Sequence, residues 1–334
     1  NGILVSVDNI EEASIIKQKL NSFIEKQYSI SQLETYAKCP FKFFMERIIG
    51  IKVIEEPTED IEAIELGSIL HSILYEFYTR INEEKIDIKN TDKSTKEKVK
   101  KIMLEIVEKK IANSFFKAPL TFYEKEKLTG IDGNFDNSIL GKFIEYEAAS
   151  DDNYKPMFFE VRFGALKEEE SDKTLSALEP IQIDGLKLRG KIDRIELSNY
   201  DDTFNIVDYK LGGKKPATKE LKDGLSLQLP VYLFAAQNLL EKKFGKKFSP
   251  NDMIIYSLKY SKDDFGKQKV SLIKRKNDEI TNIDELIKNT INHIKNYVEL
   301  ISKGKFNLSP HDNRENIVCR FCQFRSICRI QTTI

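Results

Sequence analysis

Apolar positions along this chain follow two periods, and the change between them divides it. Residues 64–81 carry the clearest helical pattern, with Leu66, Ile69, Leu70, Ile73, Leu74, Phe77 and Tyr78 recurring at 3.6-residue spacing. Ahead of it, residues 10–27 read as an amphipathic helix with Ile16, Leu20, Phe23 and Ile24 on one side. Ser31 with Glu34 three positions later fits a capping box that opens a short helix. Pro40 suits the first turn of a second short helix carrying Phe41, Phe43 and Phe44, and the charged run EEPTEDIEAIE after it reads as a loop. Residues 82–150 are rich in lysine and glutamate, with helical patches near 95–117 and 136–149, and read as a helical insertion.

From Pro156 the period falls to two. MFFEVRFG (157–164) is a strand pattern, and 180–197 holds Asp184-Gly185 between alternating runs, which predicts a hairpin. TFNIVDYKL (203–211) is a third strand, reached through the polar turn Asn199 to Asp202 and broken by Gly212 and Gly213. Residues 225–240 predict a helix in which Pro230 comes early enough to be tolerated. Further strands are expected at 251–260 and 267–275, then a long helix at 283–303 ended by Gly304. Helices, a three-stranded meander, a helix and more strands make an α/β (α+β) core decorated with helices.

Composition narrows the function classes. The 334 residues hold 53 basic and 53 acidic side chains, so the formal charge is zero and any nucleic-acid surface must be local. No run of 18 apolar residues exists, so no transmembrane helix and no membrane partner are expected. No basic-then-apolar leader opens the chain, which reads as cytoplasmic, and Asn1 in place of Met reads as a piece of a longer protein. With 3 His and no Trp, a zinc enzyme built on histidines is disfavoured.

The sharpest chemistry lies in GKIDRIEL followed by VDYK. Alternation puts Asp208 and Lys210 on one face of their strand, and meander pairing sets Asp193 beside Asp208. Two adjacent buried carboxylates repel unless neutralised, and a hard divalent cation, Mg²⁺ or Mn²⁺, is the natural neutraliser. Lys210 can then serve an attacking water or the charge that develops on phosphorus. By itself Asp-Tyr-Lys reads equally well as a solvated strand face. Gln228 and Tyr232 share a face of the following helix at i, i+4. His71 lies on the polar flank of the 64–81 helix, with Gly67 leaving room one turn earlier, and can add a nitrogen ligand. Glu160 is an additional candidate acid.

Cys319, Cys322 and Cys328 follow C-x2-C-x5-C spacing, and Cys39 lies 280 positions earlier. Three clustered thiols and one distant thiol suggest a single four-thiolate metal site joining the chain ends. Zinc and an iron–sulfur cluster both accept such a set, and spacing does not choose between them. Phe41, Phe43, Phe44, Phe321 and Phe324 flank the thiols, and Arg314, Arg320, Arg325 and Arg329 surround them. Basic runs at Lys210 with Lys214 and Lys215, at Lys242 to Lys247 and at Lys274 to Lys276 are candidate phosphate contacts.

Taken together, SISQLETYAKCPFKFF, ELGSILHSIL, FFEVRFG, GKIDRI, VDYK, LQLPVYL and the terminal cysteine run resemble the RecB-like branch of the PD-(D/E)XK nuclease superfamily. The resemblance is closest to the C-terminal iron–sulfur nuclease domain of AddB-type helicase–nuclease subunits, and the seven pieces occur in that order over roughly residues 29–330. It implies a restriction-endonuclease-like central mixed sheet flanked by helices over 29–334, with an N-terminal linker or helix at 1–28. It implies Mg²⁺- or Mn²⁺-dependent hydrolysis of DNA, leaving 5′-phosphate and 3′-hydroxyl, in double-strand break processing and recombinational repair. In that reading His71, Asp193, Asp208 and the backbone carbonyl of Tyr209 hold the metal, Lys210 serves the water, and Gln228 and Tyr232 form the family's Q-x3-Y motif. It also implies a 4Fe–4S cluster on Cys39, Cys319, Cys322 and Cys328, a DNA single strand or duplex end as substrate, and an AddA-type partner subunit. AddB-type subunits carry a helicase-like region ahead of this domain, whereas only residues 1–27 precede it here, so ATP use is not expected of this chain by itself. A stand-alone Cas4-like iron–sulfur exonuclease and a catalytically silent DNA-binding scaffold are the alternatives.

Overall fold

The structure is a computed structural model that describes residues 27–51, 63–89, 91–113, 122–164, 171–212, 215–259, 264–270, 282–311, 314–320 and 322–328, with Ser14, Gln18 and Leu20 as single positions. The expected helix at 10–27, the loop before Ala63, the end of the 267–275 strand, Phe321, Arg329, Gly213, Lys214 and Lys274 to Lys276 lie wholly or mostly outside the described residues.

Tyr28–Ser29 (β1) leads directly into helix α1, Ile30–Lys38. Its capping box is Ser29 with Gln32, not Ser31 with Glu34: Ser29 Oγ accepts from Gln32 N–H at 3.3 Å, and Gln32 Oε1 accepts from Ser29 N–H at 3.2 Å. The box falls two residues early because Ser29, leaving β1, already has the extended backbone of an N-cap. Cys39 then breaks the helix and caps Pro40–Phe43 (α2), which runs into a π-helical turn, Phe44–Ile49. Ala63–Glu83 (α3), Lys93–Asn113 (α4), Phe122–Thr129 (α5) and Ile139–Ala148 (α6) follow. Helix α5 was not foreseen in the sequence.

Strand β2, Tyr154–Phe163, begins two residues before Pro156, and its register slips between Pro156 and Phe158. Ile181–Ile183 (β3) and Leu186–Ser198 (β4) form the expected hairpin. Asp184 (φ 48°) and Gly185 (φ 84°) are both left-handed, as a two-residue hairpin turn matched to strand twist requires. Thr203–Lys210 is β5. An unforeseen helix, Thr218–Lys222 (α7), comes next, and its last turn binds the N–H groups of Leu225 and Ser226 through Glu220 O. That turn delays the following helix, α8, which spans Gln228–Phe244 instead of starting at 225. Ser249–Ser257 (β6), Gly266–Lys269 (β7), Ile283–Ser302 (α9), Arg314–Ile317 (α10) and Arg325–Cys328 (α11) complete the described elements.

The sheet is mixed, as expected. Its spine runs β4-β5-β6-β7, with β2 and β3 also paired to β4 and β1 added parallel. β4 is antiparallel to β2, β3 and β5, while β5 and β6 are parallel. Alternation divides the strands between two cores. Phe204 and Ile206 face a core shared with α1, α8 and α9, and Val207 and Tyr209 face a second core shared with α3, α4 and α6. Helices of the 82–150 stretch thus cover one sheet face directly. No helix among the described residues is long and apolar enough to cross a membrane.

The second core is not wholly apolar. Arg194, fully buried on β4, pairs with Glu147 of α6 at 2.8 Å and with Glu196. It also donates to Tyr78 OH at 2.9 Å, and Lys267 reaches Glu196 at 2.8 Å. Removing one partner of such a network leaves uncompensated charge in the interior. We therefore expect Arg194→Met, which strands two buried carboxylates, to lower the unfolding free energy by about 3–5 kcal/mol in urea titrations. A loss below about 1 kcal/mol would show that water reaches these carboxylates.

Candidate active site

Three carboxylates lie in one row across three strands. Phe159 pairs with Arg194 and Val161 with Ile192, so Glu160 stands opposite Asp193. Arg194 pairs with Val207, so the next step of the antiparallel ladder sets Asp193 opposite Asp208. All three are buried. Strict alternation breaks at this row. Phe158 and Val161 both face the first core, as do Ile192 and Ile195, so each strand slips by one residue at its acid. Glu160 carries the distortion, with φ 52°, a left-handed backbone that costs a non-glycine residue about 1–3 kcal/mol.

Helix α3 lays His71 over the row. Its Nδ1 lies 3.2 Å from Glu160 Oε1 and 3.4 Å from Asp193 Oδ1, and its ring meets Tyr209 edge-on at 5.8 Å between centroids. A Cβ added at Gly67, one turn earlier, would meet nothing within 4 Å, so the space beside the imidazole is open. Ligand atoms of His71, Glu160 and Asp193 all lie within 4.8 Å of one another. The additional candidate Glu160 therefore belongs to the converging set, ahead of Asp208. Asp193 Oδ2 also accepts the Tyr209 N–H at 2.8 Å.

Asp208 is held from the other side. Gln228 Nε2 donates to its Oδ1 at 2.9 Å, and Lys210 Nζ lies 2.8 Å from its Oδ2. Tyr232 OH is 3.3 Å from the same Gln228 nitrogen, so the i, i+4 pair does share a face, and that face points at the acids. Lys191, two residues before Asp193, forms an ion pair with Glu160. It was not singled out in the sequence, although its place in GKID makes it the lysine on the opposite flank from Lys210.

Charge in the row is unbalanced. Burial works against the charge on His71, but Asp193 and Glu160 outweigh it and bring the imidazole up to about 10. Burial also opposes ionisation of Asp193, and His71, Lys210 and the Tyr209 N–H reverse this and hold it below the usual carboxylate range. Burial and the Asp193 charge push Asp208 up to about 7, against the pull of Lys210 and His71. A carboxylate half-protonated near neutral pH beside an ionised one marks a site short of positive charge. Carboxylate oxygens with one imidazole are a donor set that fits Mg²⁺ or Mn²⁺, with coordination positions left for water.

The four cysteines are free, and although 280 positions separate Cys39 from Cys319, all four line one cavity with Phe41, Leu308, Val318 and Phe324. Burial, Glu315 and the other three thiols all push the Cys319 thiol up, which reflects their mutual closeness. Cys39 Sγ accepts the Lys42 N–H at 3.4 Å. Four sulfur donors in an apolar, aromatic-walled pocket fit a thiolate-bound metal or cluster. Phe43 and Phe44 pack instead on Phe306, at 6.3 and 5.0 Å between centroids. Of the basic side chains proposed for phosphate, Lys215, Lys243 and Lys246 bond to the protein's own Lys269 O, Thr174 O and Asp202. Arg325 pairs with Glu315 at 2.7 Å.

Known proteins share this pattern. The sequence profile of the PD-(D/E)XK nuclease superfamily matches residues 27–329. Similar curated proteins are named as the AddB-type subunit of an ATP-dependent helicase/deoxyribonuclease. The one from Clostridium perfringens strain SM101 is 26% identical over 97% of this chain and 32% of its own length. That from Caldanaerobacter subterraneus is 26% identical over 92% and 30%, and that from Acetivibrio thermocellus 23% over 92% and 30%. The chain thus spans about a third of the length of these relatives.

The His71 ion pairs carry a pH signature in metal-free protein. The folded pKa of about 10 exceeds the free value of 6.5, so the stabilisation is complete below about pH 6.5 and is lost as pH rises through about 10. In chelator, urea unfolding should show His71→Gln less stable than wild type at about pH 6, with the gap closing at about pH 10. A gap that widens with pH would contradict the pairing.

Proposed function

This chain belongs to the PD-(D/E)XK nuclease superfamily, and from that premise we propose that it is the nuclease module of a helicase–deoxyribonuclease, hydrolysing DNA phosphodiester bonds with a divalent cation. The observation that carries this reading is the row of Glu160, Asp193 and Asp208 with His71 over one end and Lys210 at the other. His71, Glu160 and Asp193 would hold Mg²⁺ or Mn²⁺, with Asp208 and the Tyr209 carbonyl completing its surroundings. When bound, such an ion lowers the pKa of its water and stabilises negative charge on phosphate.

The chain's own groups have separate tasks. Lys210, tied to Asp208, presents its ammonium where the attacking water and the phosphate meet, leaving 5′-phosphate and 3′-hydroxyl. Burial works against its charge, but the Asp208 carboxylate outweighs burial, so the lysine stays protonated and acts as an electrostatic and hydrogen-bonding group. Gln228 holds the Asp208 carboxylate, and Tyr232 OH lies beside the same amide. The names of the relatives support an AddA-type partner and DNA as substrate for the whole assembly, with a role in processing double-strand breaks. The four thiols would hold a 4Fe–4S cluster that ties the Cys39 segment to the 319–328 segment.

Two outcomes are expected. Lys210→Ala and Asp208→Asn should each lower DNA cleavage in Mg²⁺ or Mn²⁺ by at least about 10²-fold with circular dichroism unchanged, and chelator should abolish it in wild type. A Lys210→Ala chain that cuts as fast as wild type rules out this site. Anaerobically purified protein should be brown, with a broad band near about 400 nm and about four irons per chain. One zinc in a colourless protein would keep the nuclease and remove the cluster.

A further inference from the structure

Glu34 is the one carboxylate near this site whose task the reading above leaves open. It lies on α1, and its Oε1 accepts the backbone N–H of Leu227 at 2.7 Å and of Gln228 at 3.0 Å, 193 and 194 positions away in sequence. Leu227 is the N-cap of α8 and Gln228 its first residue, and α8 has no side-chain cap of its own. The first N–H groups of a helix have no partner within it, and the positive end of the helix dipole favours an anion there. A carboxylate from a distant helix supplies both.

The residue held in this way is the one that holds Asp208. Gln228 Nε2 donates to Asp208 Oδ1 at 2.9 Å, and Asp208 in turn contacts Lys210. The Glu34 charge also acts on Lys210 and helps keep it protonated. One acceptor therefore fixes the backbone from which Gln228 reaches the acid. The α1 helix that carries it is anchored at both ends: Ser29 sits in β1 beside Arg189, and the carbonyl of Lys38 accepts from Ser309 Oγ at 2.6 Å.

We propose that Glu34 is a positioning residue of the nuclease centre, clamping the start of α8 so that Gln228 orients Asp208. The proposal rests on the nuclease reading of the site. A merely stabilising cap would lower stability with no bias toward Gln228, whereas a positioning residue acts only through that side chain.

The test uses the full chain with Glu34→Ala, Glu34→Asp and Glu34→Gln, each alone and combined with Gln228→Ala, on labelled DNA with Mg²⁺ or Mn²⁺. Glu34→Ala should lower kcat about tenfold or more with KM within about twofold. Glu34→Asp, shorter by one methylene, keeps the charge, withdraws the acceptor and should behave alike if the alanine variant folds poorly. Glu34→Gln, whose amide oxygen can accept the same two N–H groups, should recover most of the rate. In the Gln228→Ala background the Glu34→Ala loss should vanish. Amide exchange should quicken at Leu227 and Gln228 in the alanine variant while the rest of α8 stays protected. An active wild type whose two single losses multiply in the double variant overturns the positioning role alone, as does unchanged exchange at those amides. A wild type that leaves DNA uncut with both metals overturns the nuclease reading and the positioning role together.

Discussion

Repulsion among Glu160, Asp193 and Asp208 is the constraint around which this molecule is organised. Three acids are buried in one row of a sheet, where each ionised carboxylate raises the cost of ionising the next. The surroundings answer with cations and donors drawn from separate elements: His71 from α3, Lys191 from β4, Lys210 from β5 and Gln228 from α8. Even so, Asp208 stays up near 7, so the protein by itself does not neutralise the row. A bound divalent cation is the missing charge in this arrangement.

Holding such a row demands a stiff frame. One side of the sheet supplies it with charge: Arg194, the residue after Asp193, is locked by Glu147 and Glu196, so β4 cannot rotate its acid without breaking buried ion pairs. The other side supplies it with apolar packing from α1, α8 and α9. The backbone distortion at Glu160 lies between these two supports, where neighbouring strands overdetermine its conformation.

Long-range ties close the frame. Helix α1 touches the site through Glu34 and ends at Cys39, whose thiol lines the cavity shared with Cys319, Cys322 and Cys328. Tyr36 OH donates to Lys305 O at 2.6 Å in the same region. Nine residues of helix therefore join the two ends of the chain to the acids at its centre. Closing so long a loop is entropically costly, and a metal or cluster on the four thiols would offset part of that cost.

Local pattern carried much of this. Period-two alternation marked β4 and β5, Asp184-Gly185 marked the hairpin of β3 with β4, and 3.6-residue spacing marked α3 and α9, because each depends on neighbours within a few residues. The same logic put Asp208 and Lys210 on one face and Gln228 with Tyr232 on another. Tertiary structure alone decided what lies between elements. It moved the capping box from Ser31 and Glu34 to Ser29 and Gln32, and sent Glu34 to an amide pair 193 positions away. It brought Glu160 from the margin to the middle of the candidate ligand set, through a strand slip that no periodicity shows. It buried Arg194 between two glutamates, where the sequence reads only as a charged strand. Alternation says which face a side chain takes, but pairwise electrostatics in a buried site depend on distances set by packing between segments remote in the chain.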